Sequence, residues 1–174
     1  SAHHADGNFQ QTSAAGRLRA GQGIEVEYLG VQENGTIVAG ALFETHRSRL
    51  STFSVVHDGP LCDYRDRELT EYFMTQLKQH AKAKGSAQME IVPEMPYCLH
   101  DSRGGELPAD QGGAPADDAV ETLKNLGFMH DGFTIGYTAV PRWRYLKDLT
   151  GITDEKSLLK SYDKRTQWSV KRAA

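Results

Sequence analysis

Asp58-Gly59-Pro60-Leu61-Cys62-Asp63-Tyr64, then Arg65 to Lys84, then Gly85-Ser86-Ala87-Gln88-Met89-Glu90-Ile91-Val92-Pro93, is the stretch whose reading decides the fold. Gly59-Pro60 breaks the extended run before it and sets a turn. Asp66 is placed to cap the helix that follows, its side chain accepting from the free N–H groups of the first turn. Leu69, Tyr72, Phe73, Leu77 and Ala81 recur at helical spacing. Lys78, Lys82 and Lys84 load the C-terminal turns, where cations meet the carbonyl end of the helix, and Gly85 is the expected stop. Ala87, Met89 and Ile91 alternate with Gln88, Glu90 and Val92, as in a half-buried strand. Thr52 to His57 reads as a strand leading into the turn. Strand, turn, long helix and strand make a crossover unit of an α/β domain.

Working outward, Phe9 to Arg19 reads as a short helix with a thin apolar face. Ile24, Val26 and Tyr28 alternate with Glu25 and Glu27 as a strand, and Glu33-Asn34-Gly35 is a strong hairpin turn. Thr36 to Thr45 is the return strand, apolar enough to be central. Glu94 to Pro115 is a long polar loop with paired glycines, of a length that in a compact domain points to function or disorder. Asp117 or Asp118 caps a helix with Val120, Leu123 and Leu126 on one stripe and Gly127 at its end. Phe133 to Val140 reads as a strand and Tyr145 to Leu149 as an extended segment. Thr153-Asp154 opens a last helix carrying Leu158, Leu159 and Tyr162.

The chain has 174 residues and a formal net charge of −3, so it suits one domain and lacks the basic footprint of a general nucleic-acid binder. No apolar run approaches the roughly 20 residues that span a bilayer. The two cysteines, Cys62 and Cys98, have no metal-ligand spacing and read as free thiols of a reducing cytoplasm. Both ends look cut, as in a fragment of a longer protein.

Several groups are candidates for chemistry. No histidine pair has the helical spacing of a zinc site, but His46 and His57 fall near the ends of neighbouring strands and can share one cleft. Asp101-Ser102-Arg103-Gly104-Gly105 is either a solvated turn or a grip for an anionic or amide ligand, with Arg103 as its cation. Arg142-Trp143-Arg144-Tyr145 interleaves cations and aromatics, as a strand edge with a basic face or as a platform for a planar ligand, which makes Arg142 a candidate contact. Lys160, Lys164, Arg165, Lys171 and Arg172 make the last helix basic, a solvated face by default, with an RNA or anionic-lipid contact as the alternative. Leu18 to Gly23 is the nearest approach to the pyrophosphate cradle of an acyl-CoA enzyme. Leucine stands at the cationic position, a strand follows it, and the Gly59-Pro60 junction lacks a needed N–H, so acetyl-CoA binding is not expected.

The order of these residues resembles the FemABX family, the aminoacyltransferases that build peptidoglycan cross-bridges. Gly59 to Tyr64 resembles the family's Gly-Pro-hydrophobic-x-Asp-Tyr turn, and Lys78, Ala81, Gly85 and Pro93 match its helix end and strand-closing proline. Gly7-Asn8-Phe9-x-Gln11-Thr12 resembles the family's opening motif. Leu123 to Phe128, Trp143 to Leu149 and Lys164 to Ala173 resemble later segments. Departures are Asp58 where the family commonly has Arg, Val92 where it often has Asp, and Ala15 where it usually has Trp.

The resemblance implies an α/β (α+β), GNAT-like domain over residues 1–150, with a central mixed, mainly antiparallel β-sheet flanked by helices. Residues 151–174 would begin the helix leading into a missing C-terminal half. It implies the N-terminal domain of a cytoplasmic enzyme of peptidoglycan and cell-wall biogenesis, and so of cell shape. That enzyme moves an amino acid from aminoacyl-tRNA to the stem peptide of a UDP-linked or lipid-linked muropeptide precursor, in the latter case at the inner face of the membrane. No metal and no nucleotide cofactor are implied, and the domain alone is expected to be inactive. Arg19 is the closest match to a lysine that contacts the precursor in the family. The alternatives are a stand-alone GNAT-like acyl-CoA-dependent N-acyltransferase and a non-catalytic binding domain.

Overall fold

The computed structural model describes residues 8–130, 132 and 143–173. They fall into two compact units that meet in sequence at His130/Asp131. The strand expected at 133–140 and the candidate Arg142 lie outside the described residues.

In the first unit, a single turn at Phe9–Gln11 is followed by helix α1, Ser13–Gly21, so the expected helix is split at Thr12. The split has a local cause. Thr12 is extended and its hydroxyl accepts from Ala15 N–H, which makes it the N-cap of a new helix. Strands β1 (Glu25–Glu33) and β2 (Thr36–Arg47) form the expected hairpin. Asn34 and Gly35 both have positive φ, 48° and 83°, as the tight turn between twisted strands requires. Strand β3 (Thr52–Val56) pairs antiparallel with β2, and β4 (Gln88–Ile91) pairs parallel with β3. The sheet order is β1-β2-β3-β4, with β2 inside it. This is the mixed, mainly antiparallel sheet read from the sequence.

Helix α2, Arg67–Ala83, makes the parallel crossover from β3 to β4. Asp66 caps it, accepting from Leu69 N–H at 3.0 Å. Its buried stripe is Thr70, Phe73, Met74, Leu77 and Ala81. Tyr72, expected on that stripe, is 54% exposed, and Met74 takes the position against the sheet. Both choices fit a 3.6-residue period, and the alignment of the helix on the sheet decides between them. Helix α3, Asp117–Asn125, packs beside α2. Asp117 and Asp118 lie inside its first turn, and Ala116 holds the cap position without a side-chain bond, which corrects the expected cap. Asp117 instead accepts from the Tyr97 hydroxyl at 2.7 Å. Cys62 and Cys98 are free thiols; burial raises the Cys62 thiol above its ordinary range.

β2 is covered on both faces. Side chains alternate along a strand, so Ala39, Ala41 and Phe43 enter the core with Phe73 and Leu77 of α2. Leu42 and Glu44 share the other face, where α1 lies: a Cβ on Gly16 would stand 3.1 Å from Leu42 Cδ1 and clash with the Tyr28 ring. Gly16 thus permits the close approach of α1 to the sheet.

The C-terminal end of α2 is tied to β1 by charge. Lys84 Nζ lies 2.8 Å from Glu25 and 2.7 Å from Glu27, Arg47 lies 3.1 Å from Glu25, and His80 lies 2.9 Å from Glu27. The hydrogen bond from Lys84 is the largest influence on Glu25 and holds its carboxyl below the usual range. Partial burial pushes Glu27 upward, but the hydrogen bonds from Lys84 and His80 outweigh it and the net shift is downward. Carboxylates with lowered folded-state pKa values contribute stability that is complete above the unfolded value, about 4.3, and is lost as pH falls through the lowered values. Melting curves from pH 7 to pH 3 are therefore expected to show a loss of Tm on the acid side that is shallower in Lys84→Ala than in the native chain. Parallel acid limbs in the two proteins would remove this network from the account of acid stability.

The second unit is described over 132 and 143–173. Residues 143–149 carry no regular secondary structure. Helix α4, Glu155–Lys160, opens on a capping box between Asp154 and Ser157. Helix α5, Lys164–Ala173, follows after a break at which Asp163 accepts from the N–H groups of Arg165 and Thr166. The single last helix expected from Thr153 is thus two, because a second capping residue interrupts it. Among the described residues no helix is long and apolar enough to cross a membrane.

Candidate functional site

The site grows from the place where β3 leaves β2. Their pairing ends at Glu44 and Val55, and the segment after β3 rejoins β2 at an isolated bridge between Gly40 and Leu61. Between these points the chain turns at Asp58, which adopts a positive φ of 45°, and passes through Gly59-Pro60. The separation leaves Leu42 N–H and His57 C=O without each other as ladder partners. Gln11 supplies both: its side-chain carbonyl accepts from Leu42 N–H at 2.7 Å and its amide donates to His57 C=O. A buried amide with both ends satisfied acts as a clamp. A Cβ on Gly59 would stand 2.8 Å from the Gln11 side chain, so a larger residue there would push the Gln11 amide away from these two bonds. Two motifs far apart in sequence, Asn8 to Thr12 and Gly59 to Tyr64, are thereby parts of one structure.

Beside this clamp lies a buried polar cluster. Glu44 projects from β2 and is 1% exposed. Arg19, in the last turn of α1, places Nε 2.7 Å from Glu44 Oε1, with its side chain 12% exposed. Oε1 receives this charge without a well-directed hydrogen bond. The Arg19 fork also donates to the Gln10 backbone carbonyl at 3.1 Å and to Gln10 Oε1 at 2.6 Å. These contacts leave the guanidinium short of saturation. His46 Nε2 lies 3.1 Å from Glu44 Oε2, and its ring is stacked on Phe53, its cross-strand partner, at 4.7 Å between centroids. His57 Nε2 lies 3.8 Å from the same Oε2, with its side chain 45% exposed. One ligand-type atom from each of Glu44, His46 and His57 falls within 4.8 Å of the others.

The structure thus brings Arg19 together with His46 and His57, the two histidines that the strand reading places in one cleft. Arg103 stands on an exposed turn. There Asp101 Oδ1 accepts from Arg103 N–H and Gly105 N–H, both at 2.8 Å. Those bonds, Gly105 first, hold the Asp101 carboxyl below its usual range. The N–H groups that would grip a ligand are used within the turn. Arg142 lies outside the described residues. In α5, Arg172 stacks over Trp168 at 5.1 Å, as on a solvated helix face.

The sequence alone singles out no role for Glu44, and Gln11 only as a member of the opening motif. Glu44 was visible as the one charge after the run Ala39-Gly40-Ala41-Leu42-Phe43 in a strand read as central, which is where a carboxylate needs a buried partner. The motif gives Gln11 no partner, because its role depends on a gap between two strands elsewhere in the chain.

The FemAB family model matches residues 1–174. Aminoacyltransferase FemA of Staphylococcus aureus (strain bovine RF122 / ET3-1) is 31% identical over 152 residues, which are 82% of this chain and 35% of that protein. FemA of strain MW2 is 30% identical over the same share of each chain. The crystal structure of FemX superposes with a TM-score of 0.69 at 20% identity, over 98% of this chain and 39% of that one. The fold is therefore shared with FemX and is the GNAT-like one expected. The chain spans 35% of the length of the FemA relatives it matches.

Proposed function

This chain belongs to the FemAB family, and we propose on that premise that it is the N-terminal half of an aminoacyltransferase acting on a peptidoglycan precursor, with aminoacyl-tRNA as donor. The observation that carries the reading is the match of the family along residues 1–174. Its coverage of only 35% of FemA supports the view that a second half completes the enzyme. In this reading residues 1–150 belong to the first half, whose unit ending at His130 supplies one wall of the reaction cleft, and residues 151–174 lead into the other half. The cytoplasm is the place of action, at the inner face of the membrane when the precursor is lipid-linked.

The reaction is aminolysis of an ester. The stem-peptide amine must lose a proton to attack, and the tetrahedral oxyanion must be stabilised. Holding both substrates together is a large part of the acceleration, and one wall cannot do it. Arg19 is the precursor-binding residue of this wall. Its fork is oriented by Glu44 and Gln10 and matches phosphate geometry with the N–H groups that those partners leave over.

The test mixes this chain with aminoacyl-tRNA and a UDP-linked muropeptide. Peptide mass is followed by mass spectrometry, and binding by titration of the muropeptide alone. We expect no mass change and weak, saturable binding that Arg19→Lys weakens further, since an ammonium cannot reproduce the fork. Turnover by the isolated chain would overturn the half-enzyme reading. A folded chain with no muropeptide affinity would overturn the precursor reading.

A further inference from the structure

We propose that Glu44, His46 and His57 form a binding site for one divalent cation of the zinc class. The inference goes beyond the transferase reading and does not depend on it. One carboxylate and two imidazoles are a donor set that suits zinc and its late first-row neighbours. The two distances from the carboxylate agree, and the three ligand atoms lie within 4.8 Å of one another. Bonds of about 2.0–2.1 Å in a tetrahedron put ligand atoms roughly 3.4 Å apart. Glu44 Oε2 lies 3.1 Å from His46 Nε2 and 3.8 Å from His57 Nε2, on either side of that edge. The longer separation exceeds a hydrogen bond. The His57 ring is therefore aimed at the carboxylate without being bonded to it.

The surroundings supply what metal ligands need. Groups that touch a metal's ligands commonly fix the orientation of those ligands. Arg19 Nε engages Oε1 and leaves Oε2 as the ligand atom. His46 is oriented by its stack on Phe53, and the His57 backbone is pinned by the Gln11 amide. Glu44 is buried, and a buried carboxylate calls for a paired charge or a metal. The half-exposed side of His57 gives water a path to a remaining coordination position. The Arg19 charge sets a limit: it already offsets the carboxylate, so the site binds more weakly than the same ligands would without it.

Helical ligand spacings do not reveal this arrangement. Glu44 and His46 are two apart on a strand, which places both on one face. His57 arrives from the end of the neighbouring strand.

The test uses the full chain stripped with a chelator and then dialysed. Zinc is titrated by calorimetry, and cobalt(II), a coloured stand-in for zinc, by visible absorption. One ion per chain is expected, with the visible bands of four- or five-coordinate cobalt. His57→Ala and His46→Ala should each weaken binding at least ~10-fold, the lower end of the range seen even when a group that only supports a ligand is lost. Both positions are partly exposed, and circular dichroism checks that the variants fold. Among the described residues Cys98 and His100 form a second pair of ligand-type atoms, at 3.9 Å, so Cys98→Ser should leave the affinity unchanged, as should His80→Ala. Absence of binding overturns the proposal, as does binding that survives both histidine variants or disappears with Cys98→Ser.

Discussion

Glu44→Ala should destabilise the protein by about 3–5 kcal/mol in metal-free urea denaturation, the range for removing one partner of a buried ion pair. Arg19 is 12% exposed and its Nε faces Glu44 Oε1 at 2.7 Å. Without the carboxylate its charge remains desolvated, with only the Gln10 oxygens as partners. The two losses are coupled, so the double variant Glu44→Leu/Arg19→Met should be far less destabilised than Glu44→Ala. If Glu44→Ala costs no more than ordinary surface changes, within about 0.5 kcal/mol, then Arg19 reaches water unaided and the buried cluster is misdescribed. If the double variant is as unstable as the single, packing rather than charge holds α1 on the sheet.

Phe73→Ala should cost about 3–5 kcal/mol, as expected for truncating a buried aromatic ring. Phe73 is 2% exposed and joins Phe43, Leu77 and Met74 between α2 and the sheet. The next residue provides the contrast. Tyr72 is 54% exposed, so Tyr72→Ala should stay near the small effects of surface positions. Comparable losses at the two positions, measured by urea denaturation, would show that the helix presents a different face to the sheet. That would also displace β4, whose register depends on the same crossover.

The crossover and the hairpin were legible because each of their signals is local. Asp66 needs only the N–H groups of the next turn, Asn34-Gly35 only its own backbone, and Met89 and Ile91 only the period of a strand. Signals of equal local strength misled elsewhere. Asp117 and Asp118 resemble caps in sequence, yet the chain enters α3 one residue earlier, at Ala116. The last helix looked continuous because Asp163 reads as a surface charge until its bonds to Arg165 and Thr166 are seen.

The candidate site was legible only in part. His46 and His57 could be placed near each other from strand ends alone, and Arg19 was singled out by resemblance. Their meeting point, Glu44, carries no motif and sits in a strand read only for its apolar residues. The residue that holds the region together, Gln11, gives no periodic or compositional sign.

By itself, then, the sequence determined the crossover unit, the hairpin and the family, because these rest on backbone preferences, short-range capping and residue order. Only the tertiary structure decided that Tyr72 faces water while Met74 is buried, that Gln11 bridges Leu42 and His57, and that Arg19, Glu44, His46 and His57 form one cluster. The physical reason is that a side chain's partner is set by which elements pack together. A buried charge or amide is stable only where that packing brings it a complementary group.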